Sequence, residues 1–142
     1  SSDEKLERMK ALGADITVNY RSNLDWEKEV MEKTGGVDIV VETGGTGTLG
    51  KSMACCAPNG RIGLIGALSQ GEQPALGNLL IKNLILKGIT SGSRTMMEDF
   101  VSAIEVNGFE PVIDRVFDFD EAREAYEHLN SGSHIGKVVI KV

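Results

Sequence analysis

The sequence predicts an α/β protein with a doubly wound parallel sheet, and three observations carry that prediction. Short apolar, β-branched runs alternate with amphipathic helical patterns along nearly the whole chain, as βαβ units require. The run Val-Asp-Ile-Val-Val-Glu-Thr at residues 37–43 stops in a turn holding four glycines within seven residues, and an apolar helical pattern begins there. The 17 glycines among 142 residues exceed the usual ~7% and fall mostly at the ends of apolar runs. A buried strand that ends in a glycine turn and opens a helix is where open α/β sheets bind ligands. The glycines let backbone approach a phosphate or ribose, and the helix N-terminus offers unpaired N–H groups to an anion.

The elements follow in order. Residues 1–13 open on a capping box, Ser1-x-x-Glu4, with Ser2 and Asp3 as alternative N-caps; Leu6, Met9 and Leu12 recur at one turn, and Gly13 closes the helix. Residues 16–20 read as a short strand with Ile16, Val18 and Tyr20 on one face. Asn23 caps a second helix carrying Trp26 and Val30, which ends at Gly35-Gly36. After the strand at 37–43 and its turn, Leu49, Ser52, Met53 and Cys56 lie on one helical face. Pro58-Asn59-Gly60 is a turn, and residues 61–66 form the next strand, ending in Gly66-Ala67-Leu68-Ser69. A helix over about 74–83 leads to a strand at 84–90. Thr95-x-x-Glu98 is a second capping box, opening a helix with Met97, Val101 and Ile104 inward. A strand at 112–117, a helix capped by Asp118 or Asp120 with Ala122, Ala125, Tyr126 and Leu129 on one face, and a strand at 137–142 complete the chain. Right-handed crossovers place helices on both faces of such a sheet.

Composition excludes several function classes. Hydrophobic residues make up 41% and charged residues 25% of the chain, with a net charge of −6, which is ordinary for a globular protein. No basic stretch is long enough to follow a phosphate backbone, so no nucleic-acid partner is expected. The longest apolar stretch, 79–86, is interrupted by Lys82 and Asn83 and is too short for a bilayer, so no membrane partner is expected either. Adjacent Cys55 and Cys56 rarely pair with each other, and neither they nor His128 and His134 have metal-ligand spacing. Free thiols and the lack of a signal-peptide pattern fit a cytoplasmic location.

Gly45-x-Gly47-x-x-Gly50 matches the dinucleotide fingerprint and sits between a strand and a helix. That fingerprint expects an acid at the end of the next strand to hold the ribose hydroxyls, yet residues 66–69 carry no carboxylate. The turn therefore reads as one that lines a cofactor without gripping its pyrophosphate.

The order of several short segments carries a resemblance. They are Ser1-Ser2-Asp3-Glu4-Lys5-Leu6, Lys10-Ala11-Leu12-Gly13-Ala14-Asp15, Val18-Asn19-Tyr20-Arg21, Gly36-Val37-Asp38-Ile39-Val40-Val41-Glu42, Ala57-Pro58-Asn59-Gly60-Arg61, Leu64-Ile65-Gly66, Leu86-Lys87-Gly88, Pro111-Val112-Ile113-Asp114-Arg115-Val116-Phe117 and Gly136-Lys137-Val138-Val139. In this order they resemble the C-terminal part of the medium-chain dehydrogenase/reductase superfamily, the zinc-type alcohol dehydrogenases and quinone oxidoreductases. The resemblance implies a Rossmann-like cofactor sheet of order 3-2-1-4-5-6, of which this chain holds strands three to six at 16–20, 37–43, 61–66 and 84–90. The first two strands, the true glycine fingerprint and the catalytic domain with any zinc ligands would then lie upstream. Residues 1–142 would be a partial nucleotide-binding domain, with about 109–142 returning toward that catalytic domain.

The resemblance also implies a wall for a nicotinamide dinucleotide, NADP in preference to NAD. Ser1, Ser2 and Lys5 would meet the adenosine ribose, and Tyr20 and Arg21 would flank the adenine end. Thr43, Gly44 and Gly45 would lie along the nicotinamide-side ribose. Gly66, Ala67 and Leu68, with Gly92, Ser93 and Arg94, would meet the nicotinamide. Plainer readings stand beside these: Ser1 and Ser2 as a helix cap, Tyr20 as a strand end, the glycines as turn formers, Arg94 in a pair with an acid. No catalytic residue falls in the chain. The implied activity is hydride transfer between NAD(P)H and a carbonyl, alcohol, quinone or enone, with the isolated chain inactive and paired as a homo-oligomer, most simply a dimer. The alternatives are a non-catalytic dinucleotide-fold protein acting in assembly and a methyltransferase-like doubly wound enzyme.

Overall fold

A computed structural model describes residues 2–142; the role expected of Ser1 lies outside the described residues. The chain divides into two compact units between Ser91 and Gly92.

The first unit begins with helix α1 (Asp3–Ala11), whose N-cap is Ser2: its hydroxyl accepts the Lys5 N–H at 3.3 Å. Helix α2 (Trp26–Thr34) ends on Gly35 in the left-handed conformation at φ 73°. Asn23 does not cap it as expected; it accepts the Asp25 N–H at 3.0 Å and donates to Glu29 at 2.6 Å, so it forms the turn ahead of the helix. Three parallel strands follow, β1 (Val37–Glu42), β2 (Cys56–Leu64) and β3 (Ile85–Gly88), in the order β1-β2-β3. Helix α3 (Thr46–Cys55) joins the first pair and the short α4 (Gly77–Ile81) the second. The Pro58-Asn59-Gly60 turn is absorbed into β2 as an irregularity: Val37 pairs with Cys56 and Ile39 with Arg61, and Asn59 adopts φ 63°.

The expected face of α3 is where the core sits. Leu49, Met53, Cys56 and Ile62 are buried with Leu84, and Val37, Val40, Leu79 and Leu86 pack against them. Lys82 closes this layer, its Nζ donating to the carbonyls of Ala54 at 2.6 Å and Cys56 at 2.8 Å. A cation there complements the C-terminal end of α3.

Two expectations for this unit need correction. Residues 16–20 form no strand; their alternation is real, but a strand exists only when a neighbour completes its ladder, and β1 pairs with β2 alone among the described residues. Helices on both faces are not what these three strands receive. Ile39, Val41, Ile65, Ile85 and Ile89, on the side away from the core, are all at least 45% exposed.

The second unit starts with α5 (Arg94–Asn107), capped by Ser93, whose hydroxyl accepts the Met96 N–H at 3.2 Å. Ser93 thus takes the capping role expected of Thr95. Met97 and Val101 are exposed and no residue of α5 is buried, so the inward face read from its periodicity is uncovered. Parallel strands β4 (Ile113–Phe117) and β5 (Lys137–Ile140) are joined through a 3₁₀ turn (Phe119–Glu121) and α6 (Ala122–Ser131). Asp118 forms a capping box with Glu121. Phe117 and Ala125 are buried, while Tyr126 and Leu129, expected on the same face, are exposed. Asp114 accepts the Ile135 N–H at 2.8 Å and contacts His128 Nε2 at 2.7 Å, tying β4 to α6 and to the approach to β5. The backbone bond first, then His128, holds its carboxyl below the usual aspartate range.

Candidate functional site

The site grows out of the C-terminal ends of β1 and β2, which are adjacent and parallel. Each strand runs into a small-residue turn, 43–47 after β1 and 65–71 after β2, and the two turns are laced together. Ile65 and Gly66 donate their N–H groups to the Glu42 carbonyl at 2.9 and 3.2 Å. Ser69 donates both its N–H (2.7 Å) and its hydroxyl (2.8 Å) to the Gly44 carbonyl. The Gly71 N–H reaches Thr46 Oγ1 at 3.1 Å.

Glycine is required where the turns touch. Gly45 sits at φ 93°, and a Cβ there would stand 2.8 Å from Ala67 Cα. A Cβ on Gly66 would lie 2.9 Å from the Thr43 carbonyl carbon and closer still to its oxygen. Turn-on-turn packing alone therefore requires glycine at both positions, and it leaves their expected contact with a cofactor untouched.

The residue that organises the turn is Glu42, only 4% exposed. Its Oε1 accepts the N–H groups of Gly44 (2.7 Å) and Gly45 (3.1 Å) and the Thr48 hydroxyl (2.6 Å). Its Oε2 accepts the Ser52 hydroxyl. Burial pushes the carboxyl upward, and the bonds from Ser52, Thr48, Gly45 and Gly44 together outweigh it, holding the group ionised below the ordinary glutamate range. It sits beside the N-terminus of α3, where the helix dipole favours a negative charge. Sequence reasoning missed this residue by seeking an acid after the next strand. The available signal was an acid ending an apolar strand just before Gly-Gly, with Thr and Ser spaced to face it from the following helix.

A cleft of about 580 Å³ opens here, lined by Glu42 with its donors Thr48 and Ser52, by Tyr20, Thr43, Gly44, Leu68 and Ser69, and by Trp26, Val40, Val41 and Cys55. Of the expected wall residues it brings together Tyr20, Thr43, Gly44 and Leu68; Gly45, Gly66 and Ala67 lie in the laced turns behind. Ser2, Lys5 and Arg21 stand apart from the cleft, but Asn19 links their two segments, donating to Asp3 at 2.8 Å while it accepts the Arg21 N–H at 3.1 Å. In the second unit, Gly92 and Ser93 border a hollow of about 240 Å³ with Met96, Met97 and Phe100, and Arg94 pairs with Glu98 at 2.7 Å.

Among the described residues, no group of three or more His, Cys, Asp and Glu stands together as metal ligands. The vicinal thiols are buried, and burial, with the neighbouring thiol, pushes Cys55 up to about 11. The described residues therefore do not fit a zinc site. No helix among them is long and apolar enough to cross a membrane.

A family profile described as zinc-binding dehydrogenase matches residues 12–140. The chain belongs to this family. Its relatives include a zinc-type alcohol dehydrogenase-like protein of Schizosaccharomyces pombe, 45% identical over all of this chain and 43% of the relative's length. The zinc-binding dehydrogenase fold is equally clear in solved structures. An NAD-dependent alcohol dehydrogenase is 35% identical with a TM-score of 0.86, over all of this chain and 42% of that one. The quinone oxidoreductase of Thermus thermophilus, solved also with NADPH, is 29% identical with a TM-score of 0.74, over all of this chain and 48% of that one. The chain therefore spans less than half the length of these family members. The Rossmann-like parallel α/β architecture expected from the sequence is the fold these structures share.

Proposed function

We propose that this chain supplies part of the nicotinamide-dinucleotide wall of an oxidoreductase that transfers a hydride between NAD(P)H and a carbonyl, alcohol, quinone or enone. The observation that carries the reading is the pair of laced turns at the ends of β1 and β2, with Thr43, Gly44, Leu68 and Ser69 facing one cleft. Ligands of open α/β sheets lie at the carboxyl ends of strands. The bound nicotinamide would supply the hydride chemistry; the chain's own residues bind and orient it. Thr43 offers a hydroxyl to the nicotinamide-side ribose, Gly44 a close backbone surface and Leu68 an apolar face to a flat ring, while Tyr20 flanks the adenine end. Ser2, Lys5 and Arg21 belong to the adenosine end, where two cations with hydroxyls favour NADP over NAD. Residues 109–142 return toward a catalytic domain, and the enzyme works as a cytoplasmic homo-oligomer, a dimer.

The chain holds no acid–base residue suited to the reaction, so it is inactive alone and binds the dinucleotide weakly. Titrating the ¹⁵N-labelled chain with NADPH and NADH checks this. The Thr43, Gly44, Leu68 and Ser69 amides should move, further with NADPH. Silence of those amides with both cofactors would refute the reading, and turnover by the purified chain would refute its inactivity.

A further inference from the structure

We propose that Glu42 is a specificity-determining residue: its carboxylate is the resident anion of the 43–48 turn, closing that turn to phosphate and leaving Thr43 and Gly44 for an uncharged part of a ligand. Two successive turn amides, Gly44 and Gly45, and the Thr48 hydroxyl converge on one of its oxygens, and Ser52 binds the other. Converging backbone N–H groups beside a helix N-terminus are how glycine turns hold a phosphate oxygen. Here the chain fills that place with its own side chain, buried to 4% exposure and held at both oxygens. The match of residues 45–50 to a phosphate-binding fingerprint is therefore a match of backbone shape whose ligand is already built in.

The Gly44 and Gly45 amides and the Thr48 and Ser52 hydroxyls are already committed to this carboxylate. The position of a Gly44 side chain is taken by the Thr48 hydroxyl, and that of Gly47 is backed by Ser69 Oγ at 2.6 Å. A phosphate arriving at Thr43 would meet the fixed like charge of the preceding residue. Two such charges about 5 Å apart, at the effective dielectric of a protein surface, would lower affinity by roughly a hundredfold. A ribose or a carboxamide meets no such penalty. Only the identity of the group left outside the turn rests on the cofactor reading above.

The test is a ¹H–¹⁵N NMR titration of the 142-residue chain and its Glu42→Ala, Glu42→Gln and Glu42→Asp variants with inorganic phosphate and, separately, NADPH. In the native chain and Glu42→Asp, phosphate should leave the Gly44 and Gly45 amides unmoved. In Glu42→Ala those amides should shift saturably, with affinity raised at least about tenfold; Glu42→Gln, which keeps the shape and drops the charge, should fall between. If Glu42→Ala does not fold, Glu42→Gln and the native chain carry the comparison. A merely structural glutamate would cost stability in these variants without admitting phosphate. Phosphate shifting the native turn, or leaving both Glu42→Ala and Glu42→Gln untouched, overturns the proposal. NADPH silent on the native turn while phosphate enters Glu42→Ala would overturn the cofactor reading and uphold this one. NADPH and phosphate shifting the native turn alike would do the reverse.

Discussion

Substituting Gly66 by alanine tests the laced turns most directly. The added methyl would lie 2.9 Å from the Thr43 carbonyl carbon and 3.0 Å from its Cα, with the oxygen nearer still. All three are backbone atoms, so no side chain can swing aside. Relief requires the β1 and β2 turns to part, which strains the Ile65 and Gly66 bonds to the Glu42 carbonyl at 2.9 and 3.2 Å. Overpacking of this kind costs about 1–3 kcal/mol, and each weakened bond adds ~0.5–1.5 kcal/mol. The expected loss is about 2–6 kcal/mol, a large share of a domain's ~5–15 kcal/mol. Gly88 is the control, because a Cβ there meets nothing within 4 Å; Gly88→Ala should be neutral or stabilising by up to ~1 kcal/mol. Urea unfolding followed by circular dichroism reads both, as a fall in midpoint at constant slope for Gly66→Ala alone. Equal midpoints for the two variants would refute the turn-packing argument.

Four further outcomes follow from the same structure. The Glu42 carboxyl is held low in the folded state, so its stabilisation is complete above the unfolded value near ~4.3 and is lost as pH falls through the folded value. Chemical denaturation against pH should therefore show the stability gap between the native chain and Glu42→Gln narrowing below about pH 4.3, and a gap constant with pH would contradict the assignment. Lys82→Met removes the ammonium that donates to both the Ala54 and Cys56 carbonyls and should cost about 1.5–3 kcal/mol in thermal or urea unfolding. Cys55 and Cys56 are buried, with Cys55 pushed up to about 11, so iodoacetamide at pH 8 should label neither until denaturant is added; rapid native labelling by mass spectrometry would show the core to be open. Val41, 66% exposed on β1, should accept lysine within about 0.5 kcal/mol while lowering self-association in sedimentation velocity.

How much of this was legible in the sequence depends on where each interaction partner lies. The β1–turn–α3 unit was legible because its signals are local: an apolar β-branched run, clustered glycines, and Leu49, Ser52, Met53 and Cys56 at helical spacing. All four of those residues are buried. Residues 16–20 carry the same kind of alternation without a strand to pair with, and pattern alone cannot supply a ladder. On α5 the periodicity marked an apolar face correctly, but Met97 and Val101 lie exposed, because periodicity says which residues share a face and not what covers it. Glu42 escaped notice for a different reason. Its function depends on donors from the turn and from one and two turns into α3, a convergence that spacing allows but only the folded backbone reveals. The glycine fingerprint, conversely, was conspicuous in sequence, and packing requires two of its three glycines, Gly45 against Ala67 and Gly47 against Ser69.

The one-sided covering of the first unit follows from topology. In a parallel sheet a right-handed crossover sends its helix to a side fixed by the direction in which the chain steps. β1, β2 and β3 step in one direction only, so their crossovers share a side, and there α3 and Leu79 of α4 meet the core. Helices reach the other face of a doubly wound sheet only where strand order reverses, at the edge of the first strand in the run. β1 is that edge, and beyond it no ladder forms among the described residues. Free edge and bare face are thus one consequence of a single direction of winding. They should also respond to one remedy: a strand added at β1, as from a second copy, would pair the edge and bring its own crossover helix over Ile39, Val41 and Ile65. A charge at Val41 obstructs the covering of the face while leaving backbone pairing available. Self-association that vanishes in Val41→Lys therefore assigns the driving force to the apolar face, and self-association that persists assigns it to the open edge.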